Sequence, residues 1–236
     1  MPKTKGELFC TLGTLIGNEY LLLPECKGGP GASGRMVEAL LGSEGRSHPF
    51  ANVIGVETKT TAGKCRITLF HKHPDGGVEA LRPWLMKYGR VKDGLRSWHH
   101  TVSAQQKLVY TKRSETHLIV EDKRDRSFVS WSLDNLTNAA SKLKDTVLIL
   151  TSVRTDSAGL RYVHIREARH LTAFHIREFA NVVASYDVII EFDTHERADS
   201  DSLRDRGPKF RLNPNKLDVL WGRIEGHQTI ATWAKR

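Results

Sequence analysis

The sequence predicts an α/β protein in which helices flank a mixed central sheet, and three observations predict it. Segments with helical spacing alternate with β-branched, alternating segments along the whole chain. One segment, "DTVLILTSV" at 145–153, carries the unbroken apolar run VLIL, the pattern of a strand covered on both faces. No repeat, low-complexity tract or long Pro/Gly/Ser linker interrupts the series, so 236 residues are read as one domain, residues 1–236.

In order along the chain, Leu8, Leu12 and Leu15 give residues 4–18 a helical stripe. Met36, Val37, Leu40 and Leu41 do the same for 34–43, with Ser33 or Gly34 near the cap. Residues 53–59 and 65–72 are β-branched and alternating around the turn-prone "TTAGK", which predicts an antiparallel hairpin. "GVEALRPWLMKYG" (77–89) reads as a helix broken by Pro83, and 98–132 as short strands joined at "KRSE" and "EDKRDRS" turns. "LDNLTNAASKLK" (133–144) is helical, with Asp134 as a cap, and "RYVHIREARHL" is the expected partner of the strand at 145–153. "TAFHIREFANVVAS" then reads as a helix, "YDVIIEFD" as a strand, and "KFRLNPNKLDVLW" as a strand turning into a helix behind Pro214. Trp84, Trp131 and Trp221 fall on positions that look buried; Trp98 is less clear.

Charge narrows the function. Lys and Arg number 36 against 27 Asp and Glu, a net charge of +9 that favours a polyanionic partner, nucleic acid first. The three cysteines, Cys10, Cys26 and Cys65, have no C-x-x-C spacing and read as reduced thiols of a cytoplasmic protein. The apolar runs are too short for a membrane span, and the N-terminus lacks a signal-peptide core, so neither secretion nor membrane insertion is expected. "GGPGASG" (28–34) lacks the Gly-Lys-Ser/Thr of a P-loop and reads as a lead-in to the following helix. His71 and His73, or His99 and His100, could chelate, but neither pair has a third ligand at a recognisable spacing, which argues against zinc.

The chemistry concentrates in "NVIGVETKT" (52–60). Side chains alternate along a strand, so Glu57 and Lys59 project to one side while Val56 and Thr58 enter the opposite layer. A carboxylate so placed can ligate a hard divalent cation, and an amine beside it can orient water and offset charge on a phosphorane. Glu38, on the preceding helix, could add a carboxylate. The spacing alone is equally that of a solvated strand face carrying an ion pair.

A resemblance separates these readings. "GRMVEALLG", the Glu-x-Lys segment, "ITLFHK", "YGRV" and "DRGPKFR" occur in the order found in the MvaI/BcnI family of type II restriction endonucleases, a family similar in turn to the nicking enzyme MutH, and the match spans about residues 30 to 220. The resemblance implies a PD-(D/E)xK fold with catalytic and DNA-clasping recognition lobes, acting as a monomer. It implies Mg²⁺-dependent hydrolysis of duplex DNA at CC-N-GG sites, leaving a 5′-phosphate, and a cognate DNA methyltransferase in the same system. Under it Glu57 matches the metal-binding glutamate, Lys59 the catalytic lysine and Glu38 the helix glutamate. His71 matches a reader of the central base pair, which leans the site towards CCSGG; Lys209 stands where that branch has a second reader, a histidine. Arg204, Arg206 and Arg211 lie on or beside the late turn and could bind guanine bidentately.

The departure is Asn52, where the family has a metal-binding aspartate. An amide oxygen is a neutral, weaker ligand, so cleavage should fall steeply even where DNA binding survives. An engineered knock-out, a natural relative that lost its chemistry, and a site that uses another carboxylate such as Glu38 all accommodate it. The retention of Glu57, Lys59 and Glu38 favours the first two. A DNA-binding protein without catalysis and a MutH-like nickase are the alternative functions.

Overall fold

The structure is a computed structural model that describes residues 2–26, 31–42, 54–63, 65–103, 109–198, 203–205 and 207–226. Asn52 and Arg206 lie outside the described residues, as does the start of the predicted strand at 53.

In chain order the first elements are α1 (Lys5–Leu15), β1 (Glu19–Leu21), α2 (Ala32–Leu40), β2 (Glu57–Ala62) and β3 (Ile67–His71). They are followed by α3 (Leu81–Tyr88), β4 (Arg90–Lys92), β5 (Leu95–Val102), β6 (Val109–Arg113), β7 (His117–Asp122), β8 (Phe128–Ser132) and α4 (Leu133–Ala140). The last are β9 (Thr146–Thr155), β10 (Arg161–Phe174), α5 (Phe179–Ala184), β11 (Val188–Glu196), β12 (Leu203–Asp205), β13 (Lys209–Leu212) and β14 (Trp221–Gly226). They gather into two compact units, one from residues 1–67, 142–174 and 221–236, the other from 68–141 and 175–220.

The first unit is built on a mixed sheet in the order β1-β10-β9-β2, with β14 also paired to β10. β9 and β10 run antiparallel, whereas β2 lies parallel to β9, pairing Glu57 with Thr146 and Lys59 with Leu148. The apolar run at 145–153 is indeed covered: Val147, Leu148 and Ile149 are fully buried. α1 supplies Leu8, Phe9, Leu12 and Leu15 to a core shared with Val37, Val56, Val147, Ile149 and Ile165. The Thr4 hydroxyl caps α1 by accepting the Glu7 N–H.

The second unit holds a sheet in the order β3-β13-β11-β5-β4, with β12 also paired to β11, and a three-stranded sheet β6-β7-β8. Its core is aromatic. Phe70 stacks on Phe210 at 4.9 Å, and Trp98 lies between Trp84 and Phe192 at 5.7 and 5.2 Å. Trp98 is therefore a core residue, buried like Trp84 and Trp131; in the first unit Trp221 is buried as well.

Several sequence expectations are corrected. Segments 53–59 and 65–72 do not make a hairpin within one sheet: after a turn in which Thr61 Oγ1 donates to the Cys65 carbonyl, β2 and β3 enter different sheets. Pro83 does not break its helix, because it sits in the first turn of α3, where a missing N–H costs nothing. The cap of α4 is Ser132, whose hydroxyl accepts from the Asn135 N–H, with Asp134 in the first turn behind it. α2 begins at Ala32, one residue ahead of the expected cap at Ser33. Residues 172–174 finish β10 instead of starting a helix, and Trp221 opens β14. Among the described residues no helix is long and apolar enough to cross a membrane, and all three cysteines are free thiols.

Candidate functional site

The first unit positions the Glu57 and Lys59 side chains by sheet geometry. Val56 enters the core under α2, and Gly34 of α2 comes so close to β2 that a Cβ there would touch Thr60 Cβ at 4.0 Å. Alternation then turns Glu57 and Lys59 to the other face, together. Lys59 Nζ lies 2.5 Å from Glu57 Oε1, and both side chains are largely withdrawn from water, 15% and 7% exposed. The second Glu57 oxygen, Oε2, is buried and has no hydrogen-bond partner among the described residues. A desolvated carboxylate oxygen left over after its ion pair is a costly group, and a cation is what would satisfy it.

Burial pushes the Lys59 amine below its ordinary pKa, and the attraction of Glu57 offsets this only in part. Glu38, on α2, is the second acidic group near this point. Burial of its carboxyl raises its pKa, against the opposing pull of Arg35 and Lys59, so Glu38 and Lys59 are near enough to feel each other's charge.

A fourth residue, which the sequence did not single out, joins them. Lys142 Nζ stands 3.9 Å from Glu57 Oε1 with its side chain 43% exposed. It is held there by the tight turn Ser141–Lys144, whose Leu143 carbonyl accepts from Thr146 Oγ1 at 3.0 Å and from Trp221 Nε1 at 2.9 Å. Nothing in "SKLK" marks this lysine; its partner lies 85 positions earlier in the chain. The backbone of Glu57 is also fixed, its N–H donating to the Asp145 carbonyl at 2.9 Å. The Asp145 side chain accepts from Lys5 at 2.5 Å and contacts the buried His170 at 2.8 Å.

The expected DNA-contacting residues that are described, His71, Arg204, Lys209 and Arg211, all belong to the second unit. A pocket of about 240 Å³ is lined by His71, Arg204, Gly207 and Lys209 with Asp193 and His195. Gly207 has no substitute there: its φ is +81°, and a Cβ would meet the His73 nitrogen at 2.9 Å. Lys209 and Arg211, two apart on β13, share a face, and both reach Glu191, at 3.1 and 2.6 Å. Lys209 also donates to Asp193 at 2.8 Å. These two cations are thus already engaged by carboxylates, whereas Arg204 is exposed on β12.

A mixed sheet flanked by helices, with a Glu-x-Lys pair on its terminal strand and a second glutamate on the adjoining helix, defines a restriction-endonuclease-like α/β protein. The model of the MvaI/BcnI restriction endonuclease family matches residues 19–221, and the chain belongs to that family. Among solved structures, the restriction endonuclease MvaI–cognate DNA substrate complex matches at TM-score 0.73 with 22% identity, covering 93% of this chain and 96% of that one. The structure of restriction endonuclease MvaI in the absence of DNA matches at TM-score 0.49 with 21% identity, covering 93% and 95%. No curated protein sequence matches the chain.

Proposed function

We propose that the protein is the scaffold of a Mg²⁺-dependent type II restriction endonuclease that binds duplex DNA at a CC-N-GG site as a monomer, with cleavage disabled by asparagine at position 52. Glu57 carries the reading: it is buried, paired to Lys59 on one oxygen and left unsatisfied on the other. That donor set fits a hard cation, with Glu57 as the carboxylate ligand, Asn52 as a neutral and weaker one, and Glu38 as a further acidic group. When bound, Mg²⁺ would neutralise the phosphate and supply an activated water. The chain's own part is positional and electrostatic. Lys59, its amine held by Glu57 and its pKa lowered by burial, orients water and shares a proton at low cost. Lys142 adds positive charge where the phosphorane gains negative charge.

In the second unit, His71, Arg204, Lys209, Arg211 and the adjoining Arg206 would contact DNA. His71 favours C or G at the central pair, hence CCSGG. A cognate methyltransferase would protect the same sites. The resemblance to MvaI in its DNA complex supports duplex DNA as the partner.

The test is a plasmid bearing CCNGG sites, incubated with Mg²⁺ and either the protein or its Asn52→Asp form. Linear product from the Asp form alone is the expected result. Nicked circles that persist would favour a MutH-like nickase. Inertness of both forms with tight, salt-sensitive binding would favour a DNA-binding protein without catalysis, the reading that Asn52 itself recommends.

A further inference from the structure

Among the eleven histidines, His99, His100 and His195 have no part in the nuclease reading. On β5 the alternation separates the neighbours His99 and His100. His100 turns to the core and stacks on Trp98 at 5.4 Å, while His99 faces the opposite side. There, β5 and β11 are antiparallel and His99 is directly across from Asp193, with Thr194 opposite Trp98. His195, two residues beyond Asp193, shares its face.

We propose that His99, Asp193 and His195 form a metal site in the second unit, for a nitrogen-preferring divalent cation such as Zn²⁺ or Ni²⁺. The three donor atoms already converge. His99 Nδ1 lies 2.8 Å and His195 Nε2 2.7 Å from the same oxygen, Asp193 Oδ1, and the two rings sit edge to face at 5.0 Å. All the ligand atoms fall within 4.8 Å of one another. Around a tetrahedral ion with metal–ligand bonds of about 2.1 Å, neighbouring ligand atoms stand about 3.4 Å apart. Each nitrogen therefore has to draw back from the Asp193 oxygen by about 0.6 to 0.7 Å, and His99, 63% exposed at the rim, has room to turn by that much.

The surroundings suit a cation held by two imidazoles and one carboxylate. Asp193 is held from two sides, His195 at 2.7 Å on one oxygen and Lys209 at 2.8 Å on the other. Lys209 grips the other oxygen of Asp193 and orients it, as outer groups do around metal carboxylates. Its ammonium does not simply repel the ion, because it is shared with Glu191. The pocket beside Asp193 and His195 leaves room for a fourth ligand. Imidazole discriminates against Mg²⁺, so this site and the all-oxygen group around Glu57 would take different ions. The proposal does not rest on the nuclease reading.

Titrating the full chain with Co²⁺ in excess Mg²⁺, then displacing Co²⁺ with Zn²⁺, tests it. One Co²⁺ per chain with visible d–d absorption is expected. His99→Ala, a change at an exposed side chain that leaves the fold alone, should weaken affinity more than tenfold, as should His195→Ala, while Glu57→Gln should not. Absence of binding to the unaltered chain would overturn the site. So would binding that survives both histidine changes, since the ion would then sit elsewhere, for example at His71 and His73.

Discussion

Glu57 and Lys59 meet at 2.5 Å on one face of β2, largely out of water, and Glu57 retains one buried oxygen without a hydrogen-bond partner among the described residues. Removing the amine leaves the Glu57 charge buried, with only the half-solvated Lys142 at 3.9 Å to offset it among the described residues. Lys59→Ala is therefore expected to lower stability by about 3 kcal/mol, read from urea unfolding, whereas Glu57→Gln/Lys59→Met should recover most of the loss.

A buried oxygen without a partner predicts stabilisation by the ion that fills it. Mg²⁺ should raise the melting temperature in proportion to the logarithm of its concentration once the site saturates. The Asn52→Asp form should respond at lower Mg²⁺, and Glu57→Gln should not respond. An equal shift in all three would point to non-specific salt effects.

Lys142 is half in solvent and 3.9 Å from Glu57, so its ion pair contributes little to stability, less than about 1 kcal/mol. Lys142→Ala in the Asn52→Asp background should leave unfolding unchanged and slow cleavage roughly tenfold. Single-turnover kinetics separate this from weaker DNA binding.

Acid should loosen the strand junction beneath the pair. Burial tends to raise the Asp145 pKa, but bonds from His170 and Lys5 prevail and hold it below the ordinary carboxylate value. A depressed folded pKa gives stability that is present above the unfolded value, near pH 4, and is lost as pH falls through the folded value. The urea midpoint of Asp145→Asn should accordingly fall less steeply below pH 4 than that of the unaltered protein.

Lys209 bridges Glu191 and Asp193. Lys209→Ala is expected to weaken DNA binding and, where the amine reaches a phosphate in the complex, to reduce the salt slope by about one. Binding isotherms at several salt concentrations check both.

Much of the fold was legible because it is written locally. The stripe Leu8, Leu12, Leu15 and the apolar run at 145–153 each specify one element and its buried face, and both appear where expected. The hairpin at 53–72 failed because alternation reports which side chains share a face, not which strand lies alongside. β2 takes its partner from β9, almost ninety residues later. The same limit governs the site. Glu57 and Lys59 are neighbours by strand period alone, so the sequence could pair them; Lys142, and His99 with Asp193, depend on tertiary and cross-strand register, which no local spacing encodes.

Among the described residues β2 is the terminal strand of its sheet, and terminal strands offer unpaired amides and carbonyls on which another chain can build. Two ionised side chains on one face of such a strand discourage that stacking. The chemistry proposed for Glu57 and Lys59 thus coincides with protection against aggregation, and exchanging both for valine should yield a protein that forms fibrils or precipitates on mild heating.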